Sequence, residues 1–102
     1  TAAFILLFLT KGSSYGFELL KSLETNLPTN LIDSAAIYRA LKSLEVNGFV
    51  ESKWDTSESG APKKYYNITD AGYKELDEFK EDIETRFKNL EFFLNEYENM
   101  KR

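Results

Sequence analysis

Residues 35–54 read AAIYRALKSLEVNGFVESKW, and this stretch decides the fold because its period changes partway along. With Ile37 at zero on a wheel of about 100° per residue, Leu41 and Leu44 fall within roughly 40° of it, the i, i+4, i+7 stripe of a helix that buries one face. Tyr38, Arg39, Lys42 and the backbone near Ala35 fall on the far side, which is left for a partner. Asn47-Gly48 stops this helix, because glycine takes the left-handed turn beyond a helix end at little cost. From Phe49 the run FVESKW alternates, the period of a half-buried strand.

Working outward, DTSESGAP at residues 55–62 is a turn-rich loop with Gly60 and Pro62, and KKYYNI resumes the alternation, so two strands form a hairpin. Upstream, AAFILLFL at residues 2–9 is apolar on every side and must be covered from two directions, one of which another subunit could supply. Lys11-Gly12 ends that segment. Ser13 or Ser14 is expected to cap a second helix, through YGFELLKSLETNL to about Leu27, with Leu19, Leu20 and Leu23 inward and a break at Pro28. Asp33 is the expected N-cap of the third helix, accepting from amides near Ala35 and Ala36. Thr69 opens a long final helix with Asp70 in its first turn, and its apolar residues step by three and four at 73, 76, 83, 87, 90, 94 and 97. Lys80 interrupts this seam, with Phe79 beside it.

Three helices followed by a hairpin predict an α+β fold, mainly α: a winged helix-turn-helix (three helices plus a β-hairpin wing) over residues 1–68, then a long C-terminal dimerisation helix over residues 69–102. In that arrangement the third helix enters the major groove of double-stranded DNA and the wing touches the flanking backbone. The net charge of −4 argues against a phosphate-binding partner until its distribution is considered. Residues 1–32 carry two acids and two bases, residues 33–68 five of each, and residues 69–102 ten acids against six bases, so the deficit lies in the final helix. With no cysteine and no histidine, thiolate metal sites, disulfides and the usual nucleophile-base pairs are excluded. The carboxylates lie on the polar face of the last helix. No enzyme activity, cofactor or metal is expected, and a run of eight apolar residues is far short of the roughly 20 needed to cross a membrane.

Three stretches resemble the PadR-like family of transcriptional regulators. GSSYGFELLKSL is similar to the family's second helix, with its pair Tyr15 and Gly16; YRALKSLEVNGFV carries Tyr38, Leu41, Leu44 and Gly48 at the family's spacing; KKYYNITDAG carries Tyr65, Tyr66, Ile68, Thr69 and Gly72. Together they span roughly residues 5–76. The resemblance implies a cytoplasmic homodimeric repressor on a palindromic operator, with the third helix reading bases. The family commonly has proline where Arg39 stands and a basic residue where Ser43 stands, which moves the exposed charge by about one turn. A single long C-terminal helix is similar to the short subgroup that includes multidrug-responsive members, whose ligand sits between aromatics at the dimer centre.

The expected DNA contacts are Arg39 and Lys42 on the outward helix face, Tyr38 at its edge, Lys63 and Lys64 on the wing with Lys53 opposite, and Ser14 and Tyr15, beside Ser13, at a helix N-terminus. The expected dimer interface comprises Phe4, Phe8, Leu76, Ile83, Phe87, Leu90, Leu94 and Tyr97. A planar aromatic effector would lie among Phe8, Trp54, Phe92 and Phe93. The alternative, from a different class, is a protein-interaction module that keeps the winged fold and has lost DNA binding. The acidic balance and Ser43 favour it; Arg39, Lys42 and the wing lysines favour the regulator.

Overall fold

The computed structural model describes residues 1–29, 33–56 and 60–101. Its elements are α1 (Ala2–Leu9), β1 (Ser14–Tyr15), α2 (Gly16–Asn26), α3 (Ser34–Val46), β2 (Val50–Asp55), β3 (Lys63–Ile68) and α4 (Asp70–Met100). The middle of the expected loop, residues 57–59, falls outside the described residues. Four helices and a small antiparallel sheet make the winged-helix arrangement expected from the sequence.

The core is the sum of the predicted stripes. Ile37, Leu41 and Leu44 of α3 meet Leu19 and Leu23 of α2, Ile5, Leu6 and Leu9 of α1, and Val50 and Tyr66 of the hairpin, all buried. Leu20 is half-buried at the edge. α1 is covered from one side by this core, while Leu7 stays 47% exposed, so the apolar helix still has an uncovered flank. Asp33 caps α3 as expected, its Oδ1 accepting from the Ala36 amide at 2.7 Å.

The end of α3 turns directly into the wing. Gly48 has φ +79°, the Gly48 amide donates to the Glu45 carbonyl at 3.0 Å, and the Phe49 amide donates to the Leu44 carbonyl at 2.9 Å. These two bonds form a Schellman turn, which satisfies the last carbonyls while reversing the chain. Thr69 then fastens α4 to the same turn: its amide donates to the Phe49 carbonyl at 3.1 Å, and its hydroxyl donates to the Gly48 carbonyl at 2.7 Å. Thr69 Oγ1 also accepts from the Gly72 amide at 3.1 Å, so one residue caps α4 and anchors it. Leu76 and Phe79 on the first turns of α4 pack against the core, and Phe79, beside the interrupting Lys80, fills that step of the seam.

Two expectations need correction. The sheet has three strands in the order β1-β3-β2, because Ser14 and Tyr15 pair with Tyr66 and Tyr65. Two residues are too short to show alternation, so this strand is invisible as a pattern. Ser13 and Ser14 consequently do not cap α2. The helix begins at Gly16, and the Glu18 carboxylate reaches back to accept from the Tyr15 amide at 3.3 Å and the Ser14 hydroxyl at 3.4 Å.

Candidate nucleic-acid interface

α3 presents its outer face beside the wing. Tyr38, Arg39 and Lys42 are all exposed there, opposite the buried Ile37, Leu41 and Leu44. Among the described residues neither Arg39 nor Lys42 forms an ion pair with an acidic side chain. Tyr38 leans on α2: a Cβ added to Gly16 would lie 2.4 Å from Tyr38 Cε1 and 2.8 Å from its hydroxyl. The glycine of the Tyr15-Gly16 pair therefore makes room for the Tyr38 ring, which holds the phenol at the start of α2 and at the rim of the outward face.

The wing lysines divide between two surfaces. β2 and β3 pair as Val50↔Ile68, Ser52↔Tyr66, Lys53↔Tyr65, Trp54↔Lys64 and Asp55↔Lys63. Successive side chains alternate, so Val50, Ser52, Trp54, Lys64, Tyr66 and Ile68 share the face turned toward α3, while Lys53, Asp55, Lys63 and Tyr65 share the other. Lys53 therefore stands across from Tyr65, not from Lys63 or Lys64 as expected, because the register is set by Val50 and Ile68 packing at the root.

On the outer face Lys63 Nζ lies 4.6 Å from the centre of the Tyr15 ring, and Tyr15 meets Tyr65 edge-on at 5.3 Å. Burial pushes the Tyr65 hydroxyl above its ordinary pKa. Tyr15 is thus bound into the sheet beside a lysine. Ser14, also proposed to meet phosphate, gives its hydroxyl to Glu18.

On the inner face Lys64 is engaged. Its ammonium is 3.3 Å from Glu45 Oε1, and the Ser52 hydroxyl donates to Glu45 Oε2. It also stands over the rings of Trp54, at 5.9 Å, and Tyr66, at 5.5 Å. The Ser52 hydrogen bond first, then Lys64, holds the Glu45 carboxyl below the usual carboxylate range. Tyr66 first, then Glu45, holds the Lys64 ammonium above its ordinary value. Glu45 and Ser52 were missed from the sequence. Glu45 stands about 80° from Ile37 on the wheel, at the border of the buried stripe, and that placement was the available signal.

α4 continues well beyond the core. Ile83, Phe87, Leu90, Leu94 and Tyr97 are between 44% and 63% exposed, along a molecule 62 Å in its longest dimension. The ion pairs Lys80–Glu84 and Asp82–Arg86 flank this stripe on its two edges. Between α1 and α4 lies an apolar hollow of about 350 Å³ lined by Phe4, Leu7, Leu76, Phe79 and Ile83. A second, of about 230 Å³, is lined by Phe8 with Lys11, Ser13, Ser14 and Asn26, and a third by Ile83, Phe87 and Glu91. None of these hollows brings two of Phe8, Trp54, Phe92 and Phe93 together. Phe93 stacks on Tyr97 at 6.4 Å, whereas Phe92 turns to the opposite side of α4 from Leu90. Among the described residues no helix is long and apolar enough to cross a membrane.

The model of the transcriptional regulator PadR-like family matches residues 5–78. Among solved structures, a PadR family transcription regulator from hypervirulent Clostridium difficile R20291 is similar at 28% identity, over 91% of this chain and 96% of the other, with a TM-score of 0.77. A putative transcriptional regulator from Thermoplasma acidophilum is 32% identical over 92% of this chain and 89% of its own, with a TM-score of 0.81. Bacillus subtilis PadR in complex with operator DNA is 28% identical over 76% of this chain and 45% of that chain, with a TM-score of 0.70. No curated protein matches the chain significantly.

Proposed function

The chain belongs to the PadR-like family of transcriptional regulators, which are not enzymes, and on that premise we propose that it binds an operator in double-stranded DNA as a homodimer and represses transcription. The observation that carries the reading is the exposed pair Arg39 and Lys42, three residues apart on the one face of α3 that the core leaves open. An arginine on such a face suits the paired acceptors of guanine. Similarity to a PadR solved in complex with operator DNA supports a DNA partner. Tyr38 is proposed to give its hydroxyl to a phosphate. Lys53 and Lys63, with Tyr15 and Ser14 near the sheet edge, would fix the register on the backbone without reading sequence.

The proposed homodimer draws its support from α4. A heptad stripe whose side chains are about half exposed is an interaction surface, since monomers rarely leave so long an apolar strip in water. A second copy of the helix is the natural complement, with Phe4, Phe8 and Leu76 at the edge of the interface. Two-fold symmetry in the protein implies a palindromic operator. A cytoplasmic location accords with a DNA partner. A signal reaches such a dimer if a planar aromatic compound binds its two states unequally near Phe8, Trp54, Phe92 and Phe93 across the subunits.

The test is a genome-wide pull-down of bound DNA, beginning with the promoter beside the protein's own gene. Enrichment of discrete promoters, and release of a bound promoter by an aromatic compound that quenches Trp54, are the expected results. Uniform recovery of the genome would contradict operator binding and favour the interaction module.

A further inference from the structure

We propose that Glu45 is a positioning residue whose carboxylate, held by Ser52 of β2 and Lys64 of β3, sets the angle of the wing against α3 and so the place where the wing's cations meet DNA. The inference rests on the DNA-binding reading above. Glu45 projects from the last turn of α3, just ahead of the Schellman turn at Gly48. Ser52 and Lys64 share the hairpin face turned toward that helix, on different strands. One carboxylate oxygen accepts from each: Oε2 from the Ser52 hydroxyl, Oε1 from the Lys64 ammonium at 3.3 Å.

The location gives this contact its consequence. Val50 at the root is the one buried residue of β2, and Lys53, Trp54 and Asp55 past Ser52 are exposed. On β2 packing against the core therefore gives out after Val50, on β3 it reaches as far as Tyr66 opposite Ser52, and the carboxylate takes hold of both strands at the edge of that packing, through Ser52 and Lys64. The two charged side chains are each 35% exposed, so solvent screening and the entropy of ordering them leave the pair little weight in overall stability. What a tie to two strands does supply is direction. Lys64 cannot serve as a spare phosphate contact while it holds Glu45, and because its ammonium also stands over Trp54, the tie orients the chain's one tryptophan.

The experiment uses the full chain, a duplex recovered by selection from random sequences, and a random duplex. Glu45→Gln and Lys64→Met are each expected to lower the ratio of selected-site to random-site affinity by about tenfold, the scale of coupling between residues in contact. Lys64→Arg, which keeps charge and reach, should recover most of what Lys64→Met loses. A variant that is merely less stable lowers both affinities together and leaves the ratio alone, so an unchanged ratio in Glu45→Gln overturns the proposal. If the unmodified protein binds no duplex, the DNA reading fails separately, and Trp54 anisotropy in the free protein decides the tie. Faster depolarisation in Glu45→Gln supports it, and an identical signal overturns it.

Discussion

Gly16 and Gly72 show how much a single hydrogen can matter and how differently two glycines can matter. A Cβ on Gly72 would lie 2.1 Å from the Phe49 carbonyl oxygen and 2.7 Å from Ile68 Cγ1, so the start of α4 would have to leave the turn that Thr69 fastens. Gly72→Ala is expected to destabilise the fold by about 1–3 kcal/mol, the range for overpacking a closed site, as measured by chemical denaturation. At Gly16 the obstructing atoms belong to the exposed Tyr38 ring, which can swing away. Gly16→Ala should therefore cost far less stability while displacing Tyr38 from the rim of α3. A third prediction concerns acid. Because Ser52 and then Lys64 depress the Glu45 pKa in the folded protein, the stability the tie contributes is present above the ordinary carboxylate range. It is lost as pH falls through the lowered value. Trp54 fluorescence of the free protein should report a transition below that range, absent in Glu45→Gln.

At the scale of elements, long periodic segments were legible and short or cross-strand ones were not. The i, i+4, i+7 stripe of α3, the Asp33 cap, the Gly48 stop and the heptad of α4 each follow from spacing along one element, and each is present. β1 has two residues and no period of its own; it exists because Tyr65 and Tyr66 of β3 offer an edge. The Glu45 contact to Ser52 and Lys64 joins residues up to 19 apart through the hairpin register, which depends on packing at Val50. Adjacent Lys63 and Lys64 read as one basic patch in sequence, yet a strand must send them to opposite faces. α4 itself yields a prediction in two parts. Truncation after Ala71 removes Leu76 and Phe79 from the core, and insoluble or unfolded protein is expected. Leu90→Glu lies beyond the core and should leave each chain folded while driving sedimentation at micromolar concentration toward the monomer. A folded monomer before any substitution would remove the dimer, and with it the symmetric operator.

The whole molecule separates two tasks by charge and by shape. The acidic excess of residues 69–102 falls within residues 70–86 of α4, a different element from the neutral, locally basic α3 and wing, so the net charge of −4 is not the charge of the surface that α3 and the wing present. The molecule is 62 Å in its longest dimension; α4 is the helix proposed to pair copies, and the winged domain is the unit proposed to meet DNA. The central claim is that two such ends, related by a two-fold axis, read one duplex through Arg39. It is tested most directly by selecting duplexes from a random library with the unmodified protein and, in parallel, with Arg39→Ala. The account predicts a palindromic motif with half-sites about 34–36 Å apart or a multiple of that. In Arg39→Ala one position in each half-site should lose its preference, with about 1–3 kcal/mol of binding lost. Recovery of the same motif at the same strength by both proteins, or of no motif by either, would contradict it.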